Sequence, residues 1–274
     1  LIDGKHKKQD SKWELEWKLS PTISKLNDPD NRFTRYEIRS GVPTIGTEVG
    51  FPERIWRELK EINVASLIHI TKEYEFLGEK NKLKFGAAYT FKERDFSIRK
   101  FLLNIRGGDG ILPLTGNPDE LLTDALKWPY NDNPIYGTTY EKDFSKSNQF
   151  NANVNYFAAY ISTELVLSEV LKSVLGARIE SYSQTYTGQN QQGDKVLDND
   201  KVLDDIGIFP SINFIYSLNK KQNIRLSYTK TIARPSLKEL SYAEIYDPIS
   251  GRTFIGGLHQ EIDFANNTVY WDGN

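Results

Sequence analysis

The residue types that do covalent or metal chemistry are scarce in this sequence. There is no cysteine, which excludes disulfides, thiolate metal sites and a cysteine nucleophile. The three histidines, His6, His69 and His259, are too far apart for a local metal motif. No phosphate-cradling glycine loop, nucleophile elbow or His-Glu-x-x-His pair occurs. Neighbouring acids such as Glu73 with Glu75, or Asp204 with Asp205, are expected by chance among 37 Asp and Glu. A general acid and base would need a pocket that shifts their acidities. The run Leu197 to Asp205 offers oxygens to calcium but lacks the glycine and distal glutamate of an EF-hand loop, and reads as a solvated acidic loop. No catalytic residue, metal or cofactor is expected.

Binding chemistry is better represented. Within the polar passage 104–150, Trp128, Tyr130, Asn131, Tyr136 and Tyr140 combine rings with amides and acids. Such a surface can stack on a sugar or a flat ligand while supplying hydrogen bonds. The same rings could equally form the small core that a loop of this length needs. Charge gives no hint of nucleic acid, since 35 Lys and Arg face 37 Asp and Glu for a net charge of −2. Aromatic residues reach 12% of a chain whose mean hydropathy is only −0.54. Rings at that density in so polar a chain must have a surface to cover.

Alternation tells which elements carry these residues. Trp13, Leu15, Trp17 and Leu19 interleave with Lys12, Glu14, Glu16 and Lys18, so a strand would separate them onto opposite faces. From 56 to 76 one face carries Ile62, Val64, Ser66, Ile68, Ile70, Tyr74 and Phe76. The other carries Glu61, Asn63, His69, Glu73 and Glu75. Leu83, Phe85, Ala87, Tyr89 and Phe91 likewise oppose Lys82, Lys84 and Lys92, and comparable strands are expected over 152–166, 170–182, 208–218 and 223–231. The chain lacks any apolar run of about eighteen residues, so no membrane helix is expected. Strands this long are unusual for a protein in water, where five or six residues is typical.

Connections alternate too. Short links at 77–81, 167–169 and 219–222 separate long polar passages at 20–52, 104–150 and 183–206. Short turns at one end and long loops at the other describe an antiparallel transmembrane β-barrel of the outer membrane, with periplasmic turns and extracellular loops. In that all-β fold Glu61, Asn63, His69, Glu73, Glu75 and Lys84 face the lumen. Aromatics at strand ends, including Trp56, Tyr74, Tyr89 and Phe214, suit the two interfacial girdles.

The C-terminal third resembles a known family. Asn223-Ile224-Arg225-Leu226-Ser227-Tyr228 leads through Thr231 to Arg234-Pro235-Ser236-Leu237-Lys238-Glu239-Leu240, and Asp247-Pro248 is followed by Gly251-Arg252-Thr253-Phe254. This order is similar to the TonB-dependent outer-membrane receptors of Bacteroidetes-type bacteria, with Gly257 where Asn is commoner. The motif residues are Arg234, Pro235, Asp247, Pro248 and Gly251. The resemblance implies a barrel of about 22 strands, plugged by a separate domain and coupled through that plug to TonB. Residues 1–274 would then be one partial barrel domain, without plug or signal peptide, cut from a longer chain. The resemblance further implies a Gram-negative outer-membrane location, contact with outer-membrane lipid, import of a scarce solute of unspecified identity and a possible surface lipoprotein partner. Two other readings remain at this point. One is a soluble all-β carbohydrate-binding module gripping polysaccharide with Trp13, Trp17 and Trp128. The other is a passive or structural outer-membrane barrel.

Overall fold

Period-two patterning becomes one antiparallel sheet. The computed structural model describes all residues except 9–10, 46–49, 108–114, 116, 131–134, 248–251, 257–259, 264–267 and 272–274. For 246–247, 260–263 and 268–271 it describes the backbone alone. In chain order the strands are β1 (Ile2–Lys7), β2 (Trp13–Phe33), β3 (Glu37–Arg39), β4 (Val42–Thr44), β5 (Glu53–Phe76) and β6 (Glu79–Arg106). There follow β7 (Gly137–Asp143), β8 (Gln149–Val166), β9 (Leu171–Gln189), β10 (Val196–Asn219) and β11 (Gln222–Thr229). Three small hairpin strand pairs stand apart from the sheet: β3 with β4, β12 (Ile245–Asp247) with β13 (Arg252–Phe254), and β14 (Gln260–Asp263) with β15 (Thr268–Trp271).

The nine-stranded sheet runs β1-β2-β5-β6-β8-β9-β10-β11, a meander in sequence order, with β7 alongside the upper part of β6. It stays open among the described residues. β5 and β6 run for 24 and 28 residues, and among the described residues no second sheet packs across them. The carbohydrate-binding sandwich is thereby ruled out, because its strands would have to break after six or seven residues and cross to a facing sheet.

The strands outrun the sequence-based expectation at their upper ends. Passage 20–52 was expected to be loop, yet β2 continues to Phe33 through Pro21 and Pro29. Beyond Leu19, β1 no longer flanks β2, and a strand open on one side tolerates proline. Pro29 falls within a bulge between Asp28 and Asn31, where Asp30 takes φ 55°. Passage 183–206 is mostly strand as well, and only 190–195 connects β9 to β10. The acidic run read as a loop lies in β10, whose two bulges between Leu197 and Leu203 absorb the irregular spacing. At the opposite end the links are tight. Leu77 and Gly78, at φ 56° and 76°, close the β5–β6 hairpin as a two-residue turn needing positive φ at both positions.

Register aligns the two faces across the strands. Trp17, Ile68, Ala87, Ala159, Ile179 and Ile208 form one row; His69, Gly86, Tyr160 and Arg178 form a row on the opposite face. The first face is apolar and open: Ile161 is 53% exposed, Ile179 46% and Ile208 62%. Rings border it, Tyr89 donating to Asn155 Oδ1 at 2.7 Å near the loop end and Tyr74 meeting Thr163 Oγ1 at 2.7 Å near the turns. An exposed apolar band of this breadth, edged by rings, is a lipid-contacting surface. Ile179→Arg, near mid-height of the band, should therefore cost about 2–4 kcal/mol when folding into lipid vesicles is titrated with urea. Thr187→Lys, above the band, should cost almost nothing. Equal losses at the two positions would refute the assignment of the lipid face.

Candidate functional site

Glu61, Asn63, His69, Glu73, Glu75 and Lys84 all lie on the polar face, brought there by the β5–β6 register. Strand neighbours hold most of them in pairs. Arg94 engages Glu61 through both Nε and Nη2, with Lys92 at 3.6 Å on the other carboxylate oxygen. Lys84 Nζ lies 2.5 Å from Glu164, Glu73 3.7 Å from Lys7 and Glu75 3.8 Å from Lys12. His69 Nδ1 is 2.7 Å from the Tyr160 hydroxyl. That contact depends on Gly86 between them, because a Cβ there would lie 2.3 Å from the Ile68 carbonyl oxygen and 2.8 Å from the Tyr160 ring. The polar face is thus a lattice of cross-strand ion pairs, mixed in sign.

The aromatic passage divides. Trp128 is held by its backbone N–H, which donates to the Thr138 carbonyl at 2.9 Å, and by Arg106, whose guanidinium lies 3.8 Å from the ring centroid. Tyr136 packs against a small core of Ile45, Leu103 and Leu121, which ties the β2–β5 connection to the β6–β8 connection. Tyr140 sits on β7 opposite Leu103, and Arg54 approaches both its ring and that of Trp56. Tyr130, by contrast, is 85% exposed. Asn131 lies outside the described residues.

Sequence reasoning missed a largely buried polar cluster around Arg234 and Glu180. Past Thr229 the chain leaves the sheet and folds over the polar face of β8–β10, where Leu237, Tyr242 and Ala243 pack with Phe150, Ala152, Val154 and Tyr186. Arg234 anchors this strap. Its guanidinium donates to Glu180 Oε2 at 2.5 Å and to Asp205 Oδ2 at 2.8 Å, and lies 5.1 Å from the Tyr182 ring centroid. Glu180, almost fully buried, also receives Arg178 Nε at 2.6 Å. Pro235 follows, and Ser236 and Glu239 then cap one helical turn reciprocally. The Ser236 N–H donates to Glu239 Oε2 at 2.6 Å, and the Glu239 N–H to the Ser236 hydroxyl at 3.3 Å. The Arg-Pro-Ser-x-x-Glu motif therefore works as a fold lock. Asp247 begins the approach to the β12–β13 turn, while Pro248 and Gly251 lie outside the described residues. No sequence signal could have joined Glu180 and Asp205 to Arg234, because two bulges in β10 set that register.

Two outcomes follow for the strap. Arg234→Ala leaves Glu180 buried without its main partner and should cost roughly 3–5 kcal/mol. Amide exchange would show it as lost protection over 231–244, with β5 and β6 unchanged. The Ser236 donors hold Glu239 below the usual glutamate range. Its contribution is then complete above about pH 4.3 and fades as pH falls through its own lower value. Glu239→Gln should remove that acid-side loss of protection.

Residues 128–249 match the outer membrane protein beta-barrel family. No curated protein matches the sequence. Among solved structures, P. aeruginosa FpvA bound to heterologous pyoverdines aligns at 17% identity and a TM-score of 0.51, over 83% of this chain and 25% of that one. The FpvAI–pyocin S2 complex gives 17% identity and 0.51, over 83% and 26%. The siderophore receptor PiuA from Acinetobacter baumannii aligns at 14% identity and 0.48, over 83% and 31%. The chain thus spans about a quarter of the length of the FpvA chains. Its open antiparallel sheet, banded by exposed apolar residues and carrying the family match over β8–β11, is part of a β-barrel of the bacterial outer membrane.

Proposed function

We propose that the chain forms part of the barrel wall of an energy-coupled uptake receptor, TonB-dependent and of the Bacteroidetes type. The observation carrying this reading is the contrast between the two faces of one sheet. One face is an open apolar band; the other is a lattice of paired charges with a strap folded over it. A barrel built from such a sheet has an occupied, structured interior rather than a bare aqueous pore. The fold likeness to FpvA, described as bound to pyoverdines, points the same way. Residues 1–274 act as one partial barrel domain in this reading, and a plug elsewhere in the parent polypeptide contacts TonB. A surface lipoprotein is a further possible partner. The polar-face residues Glu61, Asn63, His69, Glu73, Glu75 and Lys84 line the lumen.

The work is binding and translocation rather than bond-breaking. Tyr130, held out into solvent, contacts the solute, with Asn131 beside it in sequence. Trp128, Tyr136 and Tyr140 act as its scaffold. An iron chelate is the first solute to test, by analogy with the pyoverdine complex. Cells expressing the parent protein should take up the chelate only while TonB is present, and should still bind it at the surface when TonB is deleted. Uptake that survives loss of TonB would favour the passive barrel instead. Tyr130→Ala should weaken surface binding by roughly 2- to 10-fold, the contribution of one stacking ring.

A further inference from the structure

Just beyond the apolar band, on the same outward face, β2 and β5 place two lysines directly opposite each other. Lys25 pairs in register with Lys60, two residues above the apolar pair Ile23 and Ile62. That separation is about 7 Å along the strands. Like charges facing across a ladder repel, and both lysines are exposed. Among the described residues no carboxylate lies within 4.0 Å of either ammonium. Two of the nearby acids are engaged elsewhere: Glu58 with Arg99 at 2.7 Å, and Asp95, in register opposite Lys60 on β6, with the Asn151 amide at 2.7 Å.

The lysines border a groove of about 730 Å³ that crosses β2, β5, β6, β8 and β9. Its floor is the backbone of the row Leu26, Leu59, Phe96 and Phe150, whose side chains turn to the opposite, polar face. The rows on either side, Lys25-Lys60-Asp95-Asn151 and Asn27-Glu58-Ser97-Gln149, supply its walls. Amides, a hydroxyl and an ammonium pair are the donors that a phosphorylated sugar needs. The groove is continuous with the lipid face below it, at the depth where headgroups meet water.

We propose that this groove binds the phosphorylated saccharide headgroup of an outer-leaflet lipid, with Lys25 and Lys60 sharing one phosphate. The acyl chains then run down the band over Ile23, Ile62 and Val64. The phosphate relieves the lysine repulsion, and the amides of Asn27, Gln149 and Asn151 meet sugar hydroxyls. The proposal rests on the outer-membrane fold and is independent of the transport reading.

The test uses the full-length protein in detergent, reconstituted with diphosphoryl lipid A and examined by native mass spectrometry. Wild type should retain the lipid through delipidation. Lys25→Gln/Lys60→Gln should lower retention about thirtyfold, as expected for two lysines at a membrane surface. Lys25→Arg/Lys60→Arg should restore it, and Lys220→Gln/Lys221→Gln, at the short-turn end, should leave it unchanged. Dephosphorylated lipid A should bind no better to wild type than to the glutamine variant, and millimolar inorganic phosphate should not displace the lipid. Undiminished retention by the glutamine variant, or displacement by free phosphate alone, would overturn the site. Thermal unfolding of the detergent-solubilised variants separates lost binding from lost fold.

Discussion

A sheet that crosses an apolar layer has no water to satisfy its edges or its interior amides, so each backbone group there must find a partner in a neighbouring strand. The other features follow from this requirement. Strands must be long enough to span the layer together, which is why β5 and β6 pair without a break from Glu53 to Leu102. Register must be fixed, because a slip by one residue would put Glu61 and His69 into lipid and Ile62 and Ile68 against charge. Among the described residues bulges are confined to the upper reaches of β2 and β10 and one turn-side position at Ser217, away from the middle of the apolar band.

The same low-dielectric surroundings explain how the polar face is built. Charges backed by lipid on the far side of the sheet are expensive to leave unpaired, and cross-strand neighbours supply partners at fixed spacing. Glu61 with Arg94, Lys84 with Glu164 and Glu180 between Arg178 and Arg234 are three instances. The first two join adjacent strands of the sheet. The third fastens a non-strand segment onto it, and its arginine belongs to the motif that suggested the family.

Most of the fold was legible because alternation is a local property. Trp13 to Leu19 and Ile62 to Phe76 declare their faces from residue type alone, and the turn at Gly78 marks the hairpin. Strand ends above the membrane were not legible. There both faces are wet, so Ser20 to Phe33 and Ser183 to Gln189 lose the apolar–polar contrast and read as loop although they are paired strand. The site was partly legible for the same reason. The side on which Glu61, His69 and Lys84 fall follows from parity, whereas the meeting of Arg234 with Glu180 and Asp205 spans 54 and 29 residues and passes through bulges. Trp128 and Tyr136 could be read either as ligand contacts or as core; Arg106 and Leu103, which hold them, lie beyond any local pattern.

The overhang of the strands has a mechanical consequence. At about 3.4 Å per residue and a tilt near 45°, the 28 residues of β6 rise roughly 65 Å, against an apolar band of about 25 Å. Much of the sheet therefore stands clear of the bilayer as a hydrogen-bonded parapet. The connections at its crest, braced by Ile45, Leu103 and Leu121, are carried tens of ångströms above the headgroups on a stiff support. A molecule too bulky to settle into the crowded sugar layer of the cell surface can still be met there. In the receptor reading proposed above, the first encounter is thus set by the height of the wall, before any side chain at its rim has made contact.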